Sequence, residues 1–304
     1  MSCLEIHHLT TYRYTAPVRF GMHRLVLRPR EGHRTRVRNH LITVSPRATL
    51  TWMTDIFGNH IALAEIHDPA AELIVENHIE LEMEDHLADP GAVHQSHCST
   101  VTLPATWLQY EQAIAGAYAV PAWPEEAEAV SQWMHSQVSS SGISAAGAMQ
   151  ALTAAIHRTI EYRRREEPGV QKPTVTLRLG TGSCRDMATL ALEAARALGL
   201  AARFVSGYLH SSVSVAGRGS THAWLEVYLP DCGWTAFDPT TGGAAGSRHI
   251  PLGVSSHPRG VMPVSGTFDS GGGRSLGMSV SLTIRPCAPS QQSSPVPAFS
   301  TFPL

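Results

Sequence analysis

The 304-residue chain has no surplus of either charge: 23 lysines and arginines stand against 25 aspartates and glutamates. It therefore lacks the basic field that holds a polyanion, and nucleic acid is not its default partner. No apolar run approaches the roughly 18 residues that a membrane span needs, so no membrane partner is expected. The opening stretch MSCLEIHHLTTYRY has no charged start followed by an apolar segment, and does not read as a secretory signal. Cysteine is scarce and scattered. Cys3, Cys98, Cys184, Cys232 and Cys287 are odd in number and contain no CxxC pair. That pattern argues against a disulfide framework and for a reducing cytoplasm. What the chain does have is 43% hydrophobic and 16% charged residues, enough to build one large domain or two ordinary ones.

The first ninety residues read as strands. TTYRYTAPVRFGMHRLVLRPR alternates between breaks at Pro17, Gly21 and Pro29, and FGN forms a turn between two β-rich runs. ELIVENHIELEME alternates apolar and polar residues for a dozen positions, as a half-buried strand does. Residues 1–90 are thus expected to form a small antiparallel β domain. Residues 91–123 read as a linker, with a loop-rich stretch at 88–105. A core is expected over 124–285, and a mobile Pro/Ser-rich tail over 286–304. Within the core, Pro124 and three acids open one helix, where the helix dipole favours them. Met149, Leu152, Ile156 and Ile160 give a second helix its buried face. RRREEPGVQKP reads as a solvated charged loop. From Gly180 the pattern is a helix with Met187, Leu190, Ala191, Ala194 and Leu198 on one face. The strands AARFVSGYL, THAWLEVYL and WTAFD follow, and MSVSLTI is a last strand.

The chemistry gathers around that helix. Cys184 lies at its first turn, where free N–H groups stabilise an anion and favour the thiolate. Alone, such a cysteine is as readily a small buried residue as a nucleophile. A thiolate that attacks an amide also needs a general base and an acid for the leaving group. His222 opens THAWLEVYL and Asp238 closes WTAFD. If these strands pair through the short PDCG turn, both residues lie near one end of the hairpin, and Asp238 can orient the imidazole. The order Cys–His–Asp on helix, strand and strand is more specific than any one of the three.

Gly182-Ser183-Cys184-Arg185-Asp186, ALGLAARFVSGYL, THAWLEVYLPDCGW and FDPT resemble the core of the transglutaminase-like superfamily. YRYTAPV, HRLVLRPR and DIFGN resemble the β domain that precedes this core in bacterial members. The resemblance spans about residues 4 to 285. It implies an α+β chain: a papain-like transglutaminase core, its cysteine helix packed on an antiparallel sheet, preceded by a small antiparallel β domain. It places nucleophile, base and orienting acid on Cys184, His222 and Asp238. It implies no cofactor and no metal. The substrate class is a peptide or protein with a reactive carboxamide, with an amine or water as acceptor. Peptide hydrolysis on the same triad is the alternative, and a non-catalytic binding module the third reading. Oligomeric state is not legible in these motifs.

The chain departs from the bacterial pattern in two places. GSCRDMAT stands where members commonly read GVCQDFAH, so Arg185 replaces a neutral amide and Thr189 a histidine. GVSSHPRGVMPVSG lacks the acids of the late-core segment. Arg185 is a candidate for tuning the thiol or contacting an acidic substrate; a solvent-facing role is the alternative. The backbone N–H of Cys184 is one oxyanion donor. Trp224 and Trp234 are candidates for the second, with packing as the alternative for both. Asp186 is read as a cap or an orienting group. Glu226 shares the strand face of His222, where simple exposure also explains it. HQSHC, holding His94, His97 and Cys98, has no second ligand pair at zinc spacing and reads as a loop. GRSLG at 273–277 matches the serine-hydrolase pattern but precedes a strand rather than a helix.

Overall fold

A computed structural model describes residues 2–32, 34–83, 102–138, 142–165, 167–210 and 219–287. HQSHC and the tail beyond Cys287 lie outside the described residues. The strands are β1 (Ser2–Phe20), β2 (His23–Leu25), β3 (Thr35–Ser45), β4 (Ala48–Thr54), β5 (His60–Ile66) and β6 (Ala70–Met83). Among the described residues five α-helices follow: α1 (Gln112–Ala119), α2 (Ala127–Gln137), α3 (Ala145–Thr159), α4 (Pro173–Leu179) and α5 (Cys184–Ala197). Short strands β7 (Glu161–Tyr162) and β8 (Thr181–Gly182) pair between them. The rest is β9 (Ala202–His210), β10 (Gly219–Leu229), β11 (Gly233–Asp238), β12 (Gly243–Ala244), β13 (His249–Ser255), β14 (Val264–Ser265), β15 (Phe268–Asp269) and β16 (Ser275–Pro286).

Strict alternation makes β6 a half-buried strand: Leu73, Val75, Asn77, Ile79, Leu81 and Met83 face inward. One sheet runs β15-β1-β6-β3, with β16 also on β1; a second runs β14-β2-β5-β4. Their inner faces share a core that includes Leu4, Ile6, Leu25, Ala62 and Ile79. The strand read as the end of the core thus returns to the first domain, pairing antiparallel with β1 along most of its length. That pairing sets Cys287 beside Cys3, and the two form a disulfide. Cys232 is also disulfide-bonded, which leaves Cys184 as the free cysteine among the described residues. The expectation of unpaired thiols is corrected here, and the argument for a reducing cytoplasm loses its premise. A sequence separation of 284 residues is invisible to local cysteine spacing. Among the described residues, no helix is long and apolar enough to cross a membrane.

The third sheet runs β12-β11-β10-β9-β13, antiparallel throughout. One face, with Ala223, Leu225, Val227 and Leu229, packs on the helices. Helix α5 is not amphipathic in its setting: every residue from Asp186 to Arg196 is buried. A helix enclosed on all sides must satisfy its polar groups internally. Arg196 does so by pairing with Glu193 at 2.8 Å and donating to the carbonyls of Tyr118, Ala202 and Ser256. Glu193 accepts the N–H groups of Ala122 and Trp123. The segment read as linker is thereby fastened to α5, and it contains α1.

The β domain also braces the third sheet. Tyr208, Ile250 and Leu252 belong to its hydrophobic core. In DIFGN, Asp55 accepts the N–H groups of Phe57 and Asn59. The fully buried Asn59 side chain then accepts from Val254 N–H at 2.9 Å and donates to its carbonyl at 2.7 Å. Strand β13 is held in place from the β domain by these bonds.

Candidate active site

Cys184 is the first residue of α5, behind Ser183 at the N-cap. The Ser183 N–H and hydroxyl both donate to Asp186 Oδ2, at 2.8 and 2.7 Å. Arg165 Nη1 reaches both Asp186 oxygens, at 2.9 and 3.0 Å, and Gln171 N–H reaches Oδ1 at 2.7 Å. Asp186 is fully buried. One carboxylate thus ties the loop before α4 to the turn that carries the cysteine. The solvated-loop reading describes Arg163, which pairs with Glu161 at the surface. It is corrected for Arg165, which a buried carboxylate draws inward. Arg185 does not point freely into solvent either: its Nη2 donates to the carbonyls of Arg165 and Glu167.

Strands β10 and β11 pair as an antiparallel hairpin, with Leu225 opposite Phe237. This brings His222 Nε2 to 2.9 Å from Asp238 Oδ2. Gly207 faces His222 across β9 and β10. A Cβ at Gly207 would lie 2.2 Å from the Ile250 carbonyl oxygen and 2.6 Å from the Trp224 ring, so only glycine admits this packing. Burial works against a charged His222. Hydrogen bonds to Asp238 and Cys184, with their charges, override it and lift its pKa to about 10. Burial likewise opposes the Asp238 charge, but bonds from His222 and His249 hold the carboxylate well below its usual range.

His249 is the residue that sequence reasoning missed. It opens β13, on the opposite side of β9 from β10, and its Nε2 lies 3.0 Å from the same Asp238 Oδ2. Its Nδ1 accepts the Gly246 N–H, so the proton sits on Nε2, facing Asp238. The only sequence signal was a histidine at the head of an apolar run. His249→Phe removes one donor from a buried anion and is expected to cost about 1.5–3 kcal/mol at pH 7. Asp238 is depressed below 3.8 in the folded state, so this stabilisation is present above 3.8 and is lost as pH falls toward the folded value. Urea unfolding at pH 7 checks the deficit, and a loss below about 1 kcal/mol would show that His249 contributes little to the carboxylate.

Cys184 and His222 line one cavity of about 480 Å³, with Arg185 on its wall. Trp224 and Trp234 do not line it. Trp224 is buried and meets His249 edge-on at 5.0 Å. Trp234 lies under the Arg203 guanidinium at 3.9 Å, and Arg203 pairs with Glu226. Both indoles are therefore packing groups, and Glu226 is partly buried in an ion pair. In GRSLG, Ser275 begins β16, which has no nucleophile elbow. Among the described residues, two groups present metal-type donors within 4.8 Å of one another: His222, Asp238 and His249, already joined by hydrogen bonds, and His7, Glu76 and His78 on the β domain.

Residues 4–82 match the family model for the bacterial transglutaminase-like N-terminal region, and residues 136–239 match that for the transglutaminase-like superfamily. An uncharacterized protein of Mycobacterium tuberculosis (strain ATCC 25618 / H37Rv) is 24% identical over 287 residues, covering 86% of each chain. One from Mycobacterium leprae (strain TN) is 34% identical over 106 residues, which is 34% of this chain and 37% of that protein's length. Among solved structures, a candidate cysteine protease from Cytophaga hutchinsonii superposes with a TM-score of 0.72. It is 16% identical and the match covers 93% of this chain and 90% of that one, a likeness of fold. With both family models matched in order along the chain, it belongs to the transglutaminase-like superfamily, in the bacterial form that carries an N-terminal β domain.

Proposed function

We propose that the protein catalyses thiol-dependent acyl transfer from a carboxamide, through a thioester on Cys184. The observation that carries this reading is the line Cys184–His222–Asp238, which opens on one cavity at the N-terminus of a buried helix. His222, with its pKa lifted to about 10, holds a proton across the neutral range and faces the thiol. With that proton on His222, the Cys184 sulfur reacts as the thiolate: it attacks the carbonyl carbon, and the tetrahedral oxyanion takes the free N–H of Cys184. As the C–N bond breaks, His222 passes its proton to the departing nitrogen, and ammonia leaves. An amine or water then attacks the thioester, His222 takes the proton that the nucleophile loses, and the sulfur leaves as the thiolate, which restores the starting pair. Asp238 orients His222 and stabilises its cation.

A glutaminyl peptide incubated with a primary amine tests the reaction class. Ammonia release with amine incorporation is expected for transfer to an amine, and ammonia release with a glutamyl product for transfer to water. Cleavage of the main chain without ammonia would overturn the reading in favour of a peptidase on the same residues.

A further inference from the structure

The wall of the Cys184 cavity is one-sided in charge. Lys172, Arg185 and Arg259 line it with His257, and among the described residues no aspartate or glutamate does. The sequence shows why. No acidic residue occurs between Glu167 and Asp186, or anywhere between Asp238 and Asp269, and these two stretches supply most of the wall. The two flanking acids of the first stretch are engaged elsewhere. Asp186 is turned onto Arg165 and the Ser183 cap, and Glu167 lies 3.5 Å from Arg165.

The cations differ in how far they are neutralised. Lys172 pairs with Glu125 at 2.9 Å. Arg185 is held by neutral carbonyls, and its buried Nε has no partner. Arg259, on the turn Pro258–Val261, is exposed. Among the described residues, no carboxylate is paired with Arg185 or Arg259. His257 is held down by burial, Arg259 and Arg196, and its Nδ1 accepts the Arg259 N–H. It therefore adds a neutral ring whose proton lies on Nε2. Two guanidinium charges, from the first turn of α5 and from the turn after β13, remain for a ligand.

We infer that the cavity selects an anionic acyl donor: a peptide with carboxylates close to the reacting carboxamide, engaged by Arg185 and Arg259. A cleft lined by one sign of charge concentrates ligands of the opposite sign, by a factor of 10 or more. Of the roles the sequence leaves open for Arg185, this is contact with an acidic substrate: the loop carbonyls anchor it, and its charge is left for the substrate. This inference rests on the proposed acyl-transfer site, yet its first test needs no turnover.

Alkylation of Cys184 by anionic iodoacetate and by neutral iodoacetamide, each normalised to glutathione, reads the field at the sulfur. The iodoacetate-to-iodoacetamide ratio is expected to exceed that of glutathione by roughly tenfold, and Arg259→Glu should remove most of that excess. Added salt should lower it as well. A second arm uses two glutaminyl peptides, one with glutamates and one with lysines beside the glutamine, as protectants of Cys184 against iodoacetamide. The acidic peptide should protect at about one tenth the concentration. A ratio equal to that of glutathione and unmoved by Arg259→Glu, or equal protection by the two peptides, would overturn the inference. Failure of the acyl-transfer reading is seen separately, as turnover that survives loss of the thiol.

Discussion

Cys184→Ala is expected to abolish acyl transfer, lowering turnover by at least about 10³-fold, while thermal unfolding barely moves. The sulfur is the proposed acyl carrier, paired with His222 in the cavity, and residues that act as a unit lose nearly everything when one is removed. The cost in stability is small because Cys184 is only half-buried, at the edge of the helical core, and α5 is fixed by other groups. Alanine keeps the helical backbone, and the change should cost about 1 kcal/mol or less. His222→Ala should be nearly as damaging. Asp238→Asn should be milder, since an amide can still contact the ring, although His249 then loses its anion too. Turnover and differential scanning calorimetry on the same samples separate a lost nucleophile from a lost fold.

Asp186→Ala is expected to cost about 3–5 kcal/mol, the largest stability effect of any single change near the site. Its carboxylate is buried and takes donors from Ser183, Arg165 and Gln171. Removing it strips the guanidinium of Arg165, 17% exposed, of its buried anion, leaves it only the exposed Glu167 at 3.5 Å, and orphans two backbone N–H groups. Breaking one side of a buried pair is costly because the remaining charge stays buried. The same change frees the loop that carries Gln171 and loosens the turn holding Cys184, so the rate of thiol alkylation should change. Urea unfolding checks the first effect and iodoacetamide kinetics the second. A loss below about 1 kcal/mol would show that the carboxylate is not what organises this turn.

How much of this was legible in the sequence follows from how far apart the partners lie. The alternation of β6, the hairpin through PDCG, and the order of Cys184, His222 and Asp238 are local patterns, and each has a counterpart in the structure. His249 was not legible, because it reaches Asp238 only when β13 docks on the far side of β9. The Cys3–Cys287 bridge depends on β16 returning to β1, and strand pairing over such a distance leaves no periodic trace. The sequence marks one buried face of α5, with Met187, Leu190, Ala191, Ala194 and Leu198, and Glu193 and Arg196 lie off it. They are buried all the same, since each neutralises the other and ties down the chain around Trp123 and Ser256. Arg165 was taken as solvated for the same reason: a charge in the sequence does not announce a buried partner 21 residues away. The tryptophans failed as oxyanion donors for a steric reason. Their indoles fill the sheet and an arginine stack, and neither reaches the cavity.

The central claim is a covalent thioester on Cys184, and intact-protein mass spectrometry tests it directly. The protein is mixed with a glutaminyl peptide, quenched in acid within seconds, weighed, and mapped by digestion. The expected result is an adduct equal to the peptide less ammonia, located on Cys184, discharged by hydroxylamine and absent from Cys184→Ala. An adduct elsewhere, or turnover without any adduct and undiminished in Cys184→Ala, would contradict it.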